Sequence, residues 1–220
     1  VLGAGNLDMK EFLDSSAAFF KEVTSDEIFD HSKLYIGNQH VSYGNISAKK
    51  IVFCEGHLIH KNPFFSFIPM KPVKGEILEV ELKNTGIQDH IINKGGFLMD
   101  TGKDIFKAGA TYDWDAPEEI PTHEGKKEIQ DNIGEIVSGP YKIISHKAGI
   151  RPAVIDRRPV IGAHPAHPAL FVFNGMGTKG VMLAPYFAEN FVLFLLGKNE
   201  LHPEVNVRRF HSLYHETSNT

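Results

Sequence analysis

The chain has 220 residues, 42% of them hydrophobic and 23% charged, with a formal net charge of -4. That composition suits an ordinary globular protein with one sizeable core or two small lobes, and it excludes disorder. The acidic balance offers no bulk attraction to nucleic acid or anionic membrane, and no window holds the roughly eighteen apolar residues a membrane span requires.

The single Cys54 rules out an internal disulfide framework and fits a reducing compartment or simple burial, which makes the cytoplasm the default location. The chain opens on Val1, without the basic and then apolar pattern of a signal peptide, as a processed product or a piece of something longer would.

In chain order, Asp8 followed by Glu11 predicts a capped amphipathic helix carrying Phe12, Leu13, Ala17, Phe19, Phe20 and Val23. Short strands follow near 33–36 and 40–43, joined by Gly37-Asn38 as a hairpin turn. Residues 49–54 run apolar into Glu55-Gly56, the pattern of a strand buried on both faces, parallel and central. Beyond the proline-rich connection 62–72 the period becomes two. Segments starting at Gly75, His90, Gly96 and Ile105, with turns at Thr85-Gly86, Lys94-Gly95 and Thr101-Gly102, predict an antiparallel meander with one wet face.

Thr122 with Gly125 opens a helix through Ile129, Ile133, Ile136 and Val137 that stops at Gly139-Pro140. A strand at 141–145 leads into 148–162. The apolar strand 170–173 meets Gly175, Gly177 and Gly180, and the very apolar stretch 181–196 reads as a buried core helix. The polar tail after Leu201 is expected to be ordered only in part.

Strand, glycine turn and helix together describe a place where backbone approaches a ligand and unpaired N–H groups face it; a cofactor's electron-rich edge is the natural occupant. Gly175-x-Gly177-x-x-Gly180 matches the dinucleotide fingerprint, yet no second strand follows the helix, and Glu200, near the right distance, lies on none. The NAD reading is therefore a rival, as is a packing role for these glycines. Gly3-Ala4-Gly5 reads as a loop, because Asp8 stands where a third glycine should.

The pairs His57 with His60 and His164 with His167 lack cysteine or carboxylate partners at zinc-ligand intervals. Glu118-Glu119 belongs to a solvated turn, and no nucleophile elbow or P-loop is present.

The run HKAGIRPAVIDRRPVIGAHP at 146–165, followed by the glycine turn and Ala184-Pro185, resembles the carboxyl-terminal half of FAD-dependent amine and amino-acid oxidoreductases, the family of D-amino-acid oxidase, glycine oxidase and sarcosine oxidase. AKKIVFCEG at 48–56 is similar to the family's strand beside the adenine and ribose, and PVKGE at 72–76 to its re-entry into the substrate sheet. The resemblance runs from about Asn6 to Leu196. The family's amino-terminal strand and G-x-G-x-x-G have no counterpart, so the chain resembles the latter part of a longer flavoprotein and is expected to bind FAD poorly alone.

The resemblance implies a mixed α/β (α+β) fold. A partial Rossmann-like FAD lobe, 1–62 and 148–200, with 1–30 alternatively in the substrate lobe, interleaves with an antiparallel substrate lobe at 63–147, and a tail covers 201–220. It implies Arg151 as the anchor of a substrate carboxylate; the alternative is a structural ion pair with Asp156. It places Glu55, Gly56 and Gly149 at the FAD, with Gly175, Met176, Gly177, Thr178, Lys179, Gly180 and Val181 over the flavin's pyrimidine edge. Lys179 either adds a full charge there or is an exposed lysine at a helix start.

Phe97 stands where relatives often carry a carboxylate-sharing tyrosine, which disfavours substrates as small as glycine, and Tyr112 and Trp114 are candidate pocket walls. The implied reaction oxidises the C–N bond of an amino acid or secondary amine by hydride transfer to flavin N5 without a protein base. The implied partner is that small molecule, with no nucleic acid and no membrane, and homo-oligomerisation is left open. The rivals are an FAD oxidoreductase modifying a tRNA base and a flavin-free, partner-binding domain or subunit.

Overall fold

The computed structural model describes residues 5–37, 40–87, 90–115 and 118–215. Its strands are β1 (Tyr35–Ile36), β2 (Val41–Tyr43), β3 (Ile46–Ala48), β4 (Ile51–Phe53), β5 (Val73–Glu81), β6 (Ile91–Lys94), β7 (Gly96–Asp100), β8 (Ile105–Gly109), β9 (Lys142–Arg151), β10 (Val160–Ala163) and β11 (Leu170–Asn174). The helices are α1 (Met9–Phe19), α2 (His123–Ile136) and α3 (Gly180–Leu195). Asn38 of the expected hairpin turn and Gly3-Ala4 of the expected loop lie outside the described residues.

Residues 73–151 build an antiparallel sheet in the order β6-β7-β8-β5-β9. The period of two in β5 sorts its side chains: Leu78 and Val80 join Leu98, Phe106 and Ala108 in a core closed by Ile129 and Ile133 of α2. The opposite face, holding Gly75, Ile77, Phe97, Gly149 and Arg151 by register, stays open, as the alternation predicts.

Helix α2 starts where expected. Thr122 Oγ1 accepts from the Gly125 amide at 3.0 Å, and Glu76 reaches up from β5 to accept from the Thr122 amide (2.9 Å) and hydroxyl (2.8 Å). The Glu76 carboxylate is buried, and Lys74 at 3.2 Å and His146 at 2.7 Å complete its partners. A Cβ on Gly125 would overlap that carboxylate, so the glycine is what lets the helix start sit on the sheet. Burial raises the Glu76 pKa, but the Thr122 amide and hydroxyl, Lys74 and His146 more than reverse this and hold it below the usual carboxylate range.

The second sheet has the order β10-β11-β4, with β11 parallel to β4 and antiparallel to β10. Its core joins Phe53, Ile59, Phe65, Val154, Leu170, Val172 and Val207. β4 is parallel, as expected, but it is the edge of this sheet rather than its centre, and Val52 and Cys54 are exposed. Among the described residues β4 has a ladder on one flank, and the alternation of buried Phe53 with exposed Val52 shows that one face of the apolar run is covered.

α3 also departs from expectation: Phe191 is its only buried residue among those described, and Met182 is 67% exposed. Packing against β10 and β11 covers one stripe and leaves the rest of an all-round apolar helix open. β9 continues past Ser145 to Arg151 because β5 pairs with it along its length. The tail is more ordered than its polarity suggests, since Leu201, Val205, Val207 and Phe210 are buried and Arg209 pairs with Asp156 at 2.8 Å.

Candidate active site at the ends of β4, β9 and β11

β4 and β11 run parallel, so their carboxyl ends emerge side by side, the position where open α/β sheets bind ligands. Both ends turn on glycines in the left-handed region, Gly56 with φ +58° and Gly175 with φ +75°. Asn174 fastens the two turns, donating from Nδ2 to the Gly56 carbonyl at 2.9 Å while its Oδ1 accepts from the Gly175 amide at 2.7 Å.

Gly175 leaves no space for a side chain: a Cβ there would lie 2.7 Å from Val154 Cγ2. Next along, the Gly177 amide donates to the Pro152 carbonyl at 3.2 Å, which joins the glycine turn to the residue after Arg151. The glycine turn and the residue that follows Arg151 are therefore neighbours.

No side chain caps α3, in contrast to the Asp8 cap of α1 and the Thr122 cap of α2. An uncapped helix start presents amides and the positive end of the dipole to whatever lies above it. Thr178, Lys179 and Val181 are exposed there.

Arg151, at the carboxyl end of β9, is half-buried and has no carboxylate partner among the described residues. Its Nη1 donates to the carbonyls of Lys74 (3.3 Å) and Thr111 (3.2 Å), and its guanidinium lies 4.4 Å from the centre of the Tyr112 ring. Asp156, the alternative partner, is taken by Arg209. The guanidinium rests over Gly75, where a Cβ would collide with it. Gly149, directly opposite Gly75, has open space above it and leaves a bare patch of sheet beside the cation.

Burial lowers the Arg151 pKa from its ordinary value, a pressure that a bound anion would relieve. A cleft of 490 Å³ lies between the glycine turn and Tyr112, the ring on which the Arg151 guanidinium rests, and is lined by Val73, Tyr112, Trp114, Met176, Gly177 and Lys179 among others.

Of the predicted residues, Tyr112, Met176, Gly177, Thr178 and Lys179 line this cleft, whereas Arg151, Gly56, Gly149, Gly175, Gly180 and Val181 do not, and Glu55 and Phe97 are engaged elsewhere. The Glu55 carboxylate is occupied by His31 Nε2 at 2.7 Å and Asn62 Nδ2 at 2.8 Å. Phe97 shares the open face of the substrate sheet, but its cross-strand neighbour is Gly109, whereas Arg151 lies opposite Val73. The histidine pairs form no metal cluster, and none occurs among the described residues.

Sequence reasoning missed the supports of Arg151. Thr111 exchanges hydrogen bonds with Glu76, the Glu76 amide donating to Thr111 Oγ1 at 3.0 Å, and segment 111–113 is zipped to β5 through Lys74 and Asp113. The PVKGE run held this signal in Gly75, but nothing local in it shows that Lys74 is buried. The site fits the carbonyl-bearing end of a flavin: a flat, electron-rich ring needs a bare backbone surface and a positive edge, and Gly149 supplies the first and the uncapped start of α3 the second.

Residues 9–192 match the family described as FAD dependent oxidoreductase (DAO). Glycine oxidase of Pseudomonas putida is 24% identical over 132 residues, 59% of this chain and 36% of that protein. The tRNA 5-methylaminomethyl-2-thiouridine biosynthesis bifunctional protein MnmC of a Caulobacter species is 32% identical over 111 residues, 46% of this chain and 18% of that protein. Among solved structures, glycine oxidase of Bacillus cereus superposes with a TM-score of 0.68 at 22% identity, covering 80% of this chain and 51% of that one. Iminodiacetate oxidase from a Chelativorans species superposes at 0.65 with 20% identity, covering 78% and 50%.

The chain thus spans about half or less of the relatives it matches. Its fold is the mixed α/β arrangement of those FAD-dependent oxidases, a partial Rossmann-like part interleaved with an antiparallel sheet. With the match covering most of its length, the chain belongs to the DAO family of FAD-dependent oxidoreductases.

Proposed function

We propose that this chain is the substrate-facing portion of an enzyme that oxidises the C–N bond of an amino acid or secondary amine. Within it, 1–62 and 148–200 serve the cofactor, with 1–30 alternatively beside the substrate sheet, 63–147 serve the substrate, and 201–220 are the tail. The observation that carries this reading is the bond from the Gly177 amide to the Pro152 carbonyl, which sets a guanidinium without an ion pair beside an uncapped helix start.

Arg151 binds the substrate carboxylate. Its two carbonyl contacts and the Tyr112 ring fix the guanidinium plane, so the carboxylate arrives in one orientation and the α C–H is held facing the bare glycine patch. Bound FAD supplies the acceptor for the hydride that leaves the α-carbon. The amides of Gly175, Gly177 and Lys179 are bonded within the chain, so it is the positive end of α3 that would stabilise negative charge at the pyrimidine edge of a bound ring. Tyr112 and Val73 screen the cleft from water, which strengthens each of these interactions.

The test is anaerobic mixing of the flavin-loaded protein with a panel of amino acids and secondary amines, followed by visible absorption. Bleaching by a free amine supports the proposal, and a full-length protein, expressed from the complete open reading frame, that cannot be loaded with FAD ends it. The likeness to MnmC supports a second reading, in which the amine is carried on a tRNA base. Bleaching that requires RNA and fails with every free amine would favour it.

A further inference from the structure

Four cations stand at the walls of the cleft: Arg157 and Lys179 line it, Arg151 rests on the Tyr112 ring at 4.4 Å, and Lys71 lies 5.1 Å from the centre of Trp114. Arg157 approaches that same ring at 5.3 Å. None of the four forms an ion pair among the described residues, whereas their neighbours do: Arg158 with Glu204 at 3.1 Å, Arg209 with Asp156 at 2.8 Å and Lys74 with Glu76 at 3.2 Å. In a chain of net charge -4, positive charge left without counter-ions in one concavity creates a local field that draws in anions.

The charges are also arranged. Tyr112 carries Arg151 and Trp114 carries Arg157, so a single stretch of chain presents two guanidiniums along one aromatic wall. Arg157 is held in place by its own backbone, whose amide donates to the Val154 carbonyl at 2.8 Å with φ +58°. One carboxylate satisfies one guanidinium. A substrate with a single acid group would leave the second guanidinium and Lys71 unmatched. Asp113, Asp115, Glu118 and Glu119 follow closely in sequence, so the positive charge does not continue along this stretch as a nucleic-acid backbone would need, which favours a small ligand.

We propose that the cleft selects amines carrying two anionic groups, the first held by Arg151 and the second by Arg157 with Lys71 at the rim. This rests on the amine-oxidising reading above and narrows its substrate class to dicarboxylates.

The experiment titrates the flavin-loaded protein with straight-chain dicarboxylates from malonate to adipate, and with monocarboxylates of matching length, reading the visible difference spectrum of the flavin. At least one dicarboxylate should bind tenfold or more tightly than its monocarboxylate counterpart. In the double variant Arg157→Gln, Lys71→Gln that ratio should fall towards one. In the double variant Arg158→Gln, Lys198→Gln, an equal loss of charge at residues that do not line the cleft, it should persist.

Equal binding of both series, a ratio that survives in the double variant, or displacement of the dicarboxylate by RNA at lower concentration than by any small acid would each overturn the inference, while monocarboxylate binding at Arg151 would leave the amine-oxidising reading intact. A flavin that responds to no carboxylate and is bleached by no amine would remove that reading and this inference together.

Discussion

Gly177 donates its amide to the carbonyl of Pro152 across 3.2 Å, and this one bond couples the glycine collar after β11 to the arginine that ends β9. The two strands belong to different sheets. A contact between their ends sets the distance between whatever Arg151 holds and whatever the collar faces.

Replacing Arg151 with glutamine should lower kcat/KM for a carboxylate-bearing amine roughly 10- to 150-fold, the equivalent of about 1.5–3 kcal/mol for a charge-assisted pair. Arg151 makes no ion pair among the described residues, so the thermal midpoint should change little. Steady-state kinetics beside a melting curve checks both halves; an equally large loss of stability would contradict the anchor role.

Gly75→Ala probes position without removing charge. The added methyl occupies the place of the guanidinium, which is the far end of a flexible side chain and can move away. The backbone of Gly75 is ordinary, so the variant should fold normally yet raise KM roughly tenfold or more, a loss of order 1.4 kcal/mol. Unchanged kinetics would show that Arg151 need not lie over Gly75.

Gly175→Ala should act on both fold and cofactor. A φ of +75° and a methyl 2.7 Å from Val154 Cγ2 and 3.1 Å from the Val160 amide nitrogen together cost on the order of 2–4 kcal/mol. Denaturant midpoints should fall, and the flavin content of the purified protein should drop with them.

His164 predicts a pH dependence. Its ring lies between His167 at 4.8 Å, Tyr214 at 4.9 Å and Phe65 at 5.3 Å, and its Nδ1 accepts from the amides of Ala166 and His167. Burial, and then His167, pull its pKa down to about 4. The unfolded chain therefore takes up the proton at higher pH than the folded one. Stability is fully present above about 6.5 and is lost as the pH falls towards 4, by about 3 kcal/mol. In His164→Asn, which keeps an acceptor for those amides, the slope of denaturant stability across this window should flatten.

The parts legible in the sequence are those set by local chemistry. Thr122, Gly125 and Gly139-Pro140 bound α2 because capping needs only neighbours, and the alternation along β5 sorts core from open face for the same reason. Pairing order was not legible: a continuous apolar run describes β4 equally well at the centre or the edge of a sheet. Nor does an all-round apolar helix declare how much of its surface is covered, which is why α3 is more exposed than its composition suggests. In the tail, Val205, Val207 and Phe210 are dispersed among polar residues, and only the folded chain gathers them against β10.

At the site, Arg151 and the glycines were legible as types. Arg157 and Lys71 were not, since they meet only when the 153–158 turn folds back on Trp114.

The ladder between β4 and β11 pairs Ile51 with Leu170 while the entire five-stranded sheet and α2 lie between them in the chain. Closing it requires ends separated by a long loop to meet, a slow, late event compared with the hairpins of β6, β7 and β8. During refolding, protection of the 73–151 amides should appear before that of Val52 or Val172. The ligand-gripping turns would then be the last part of the molecule to mature.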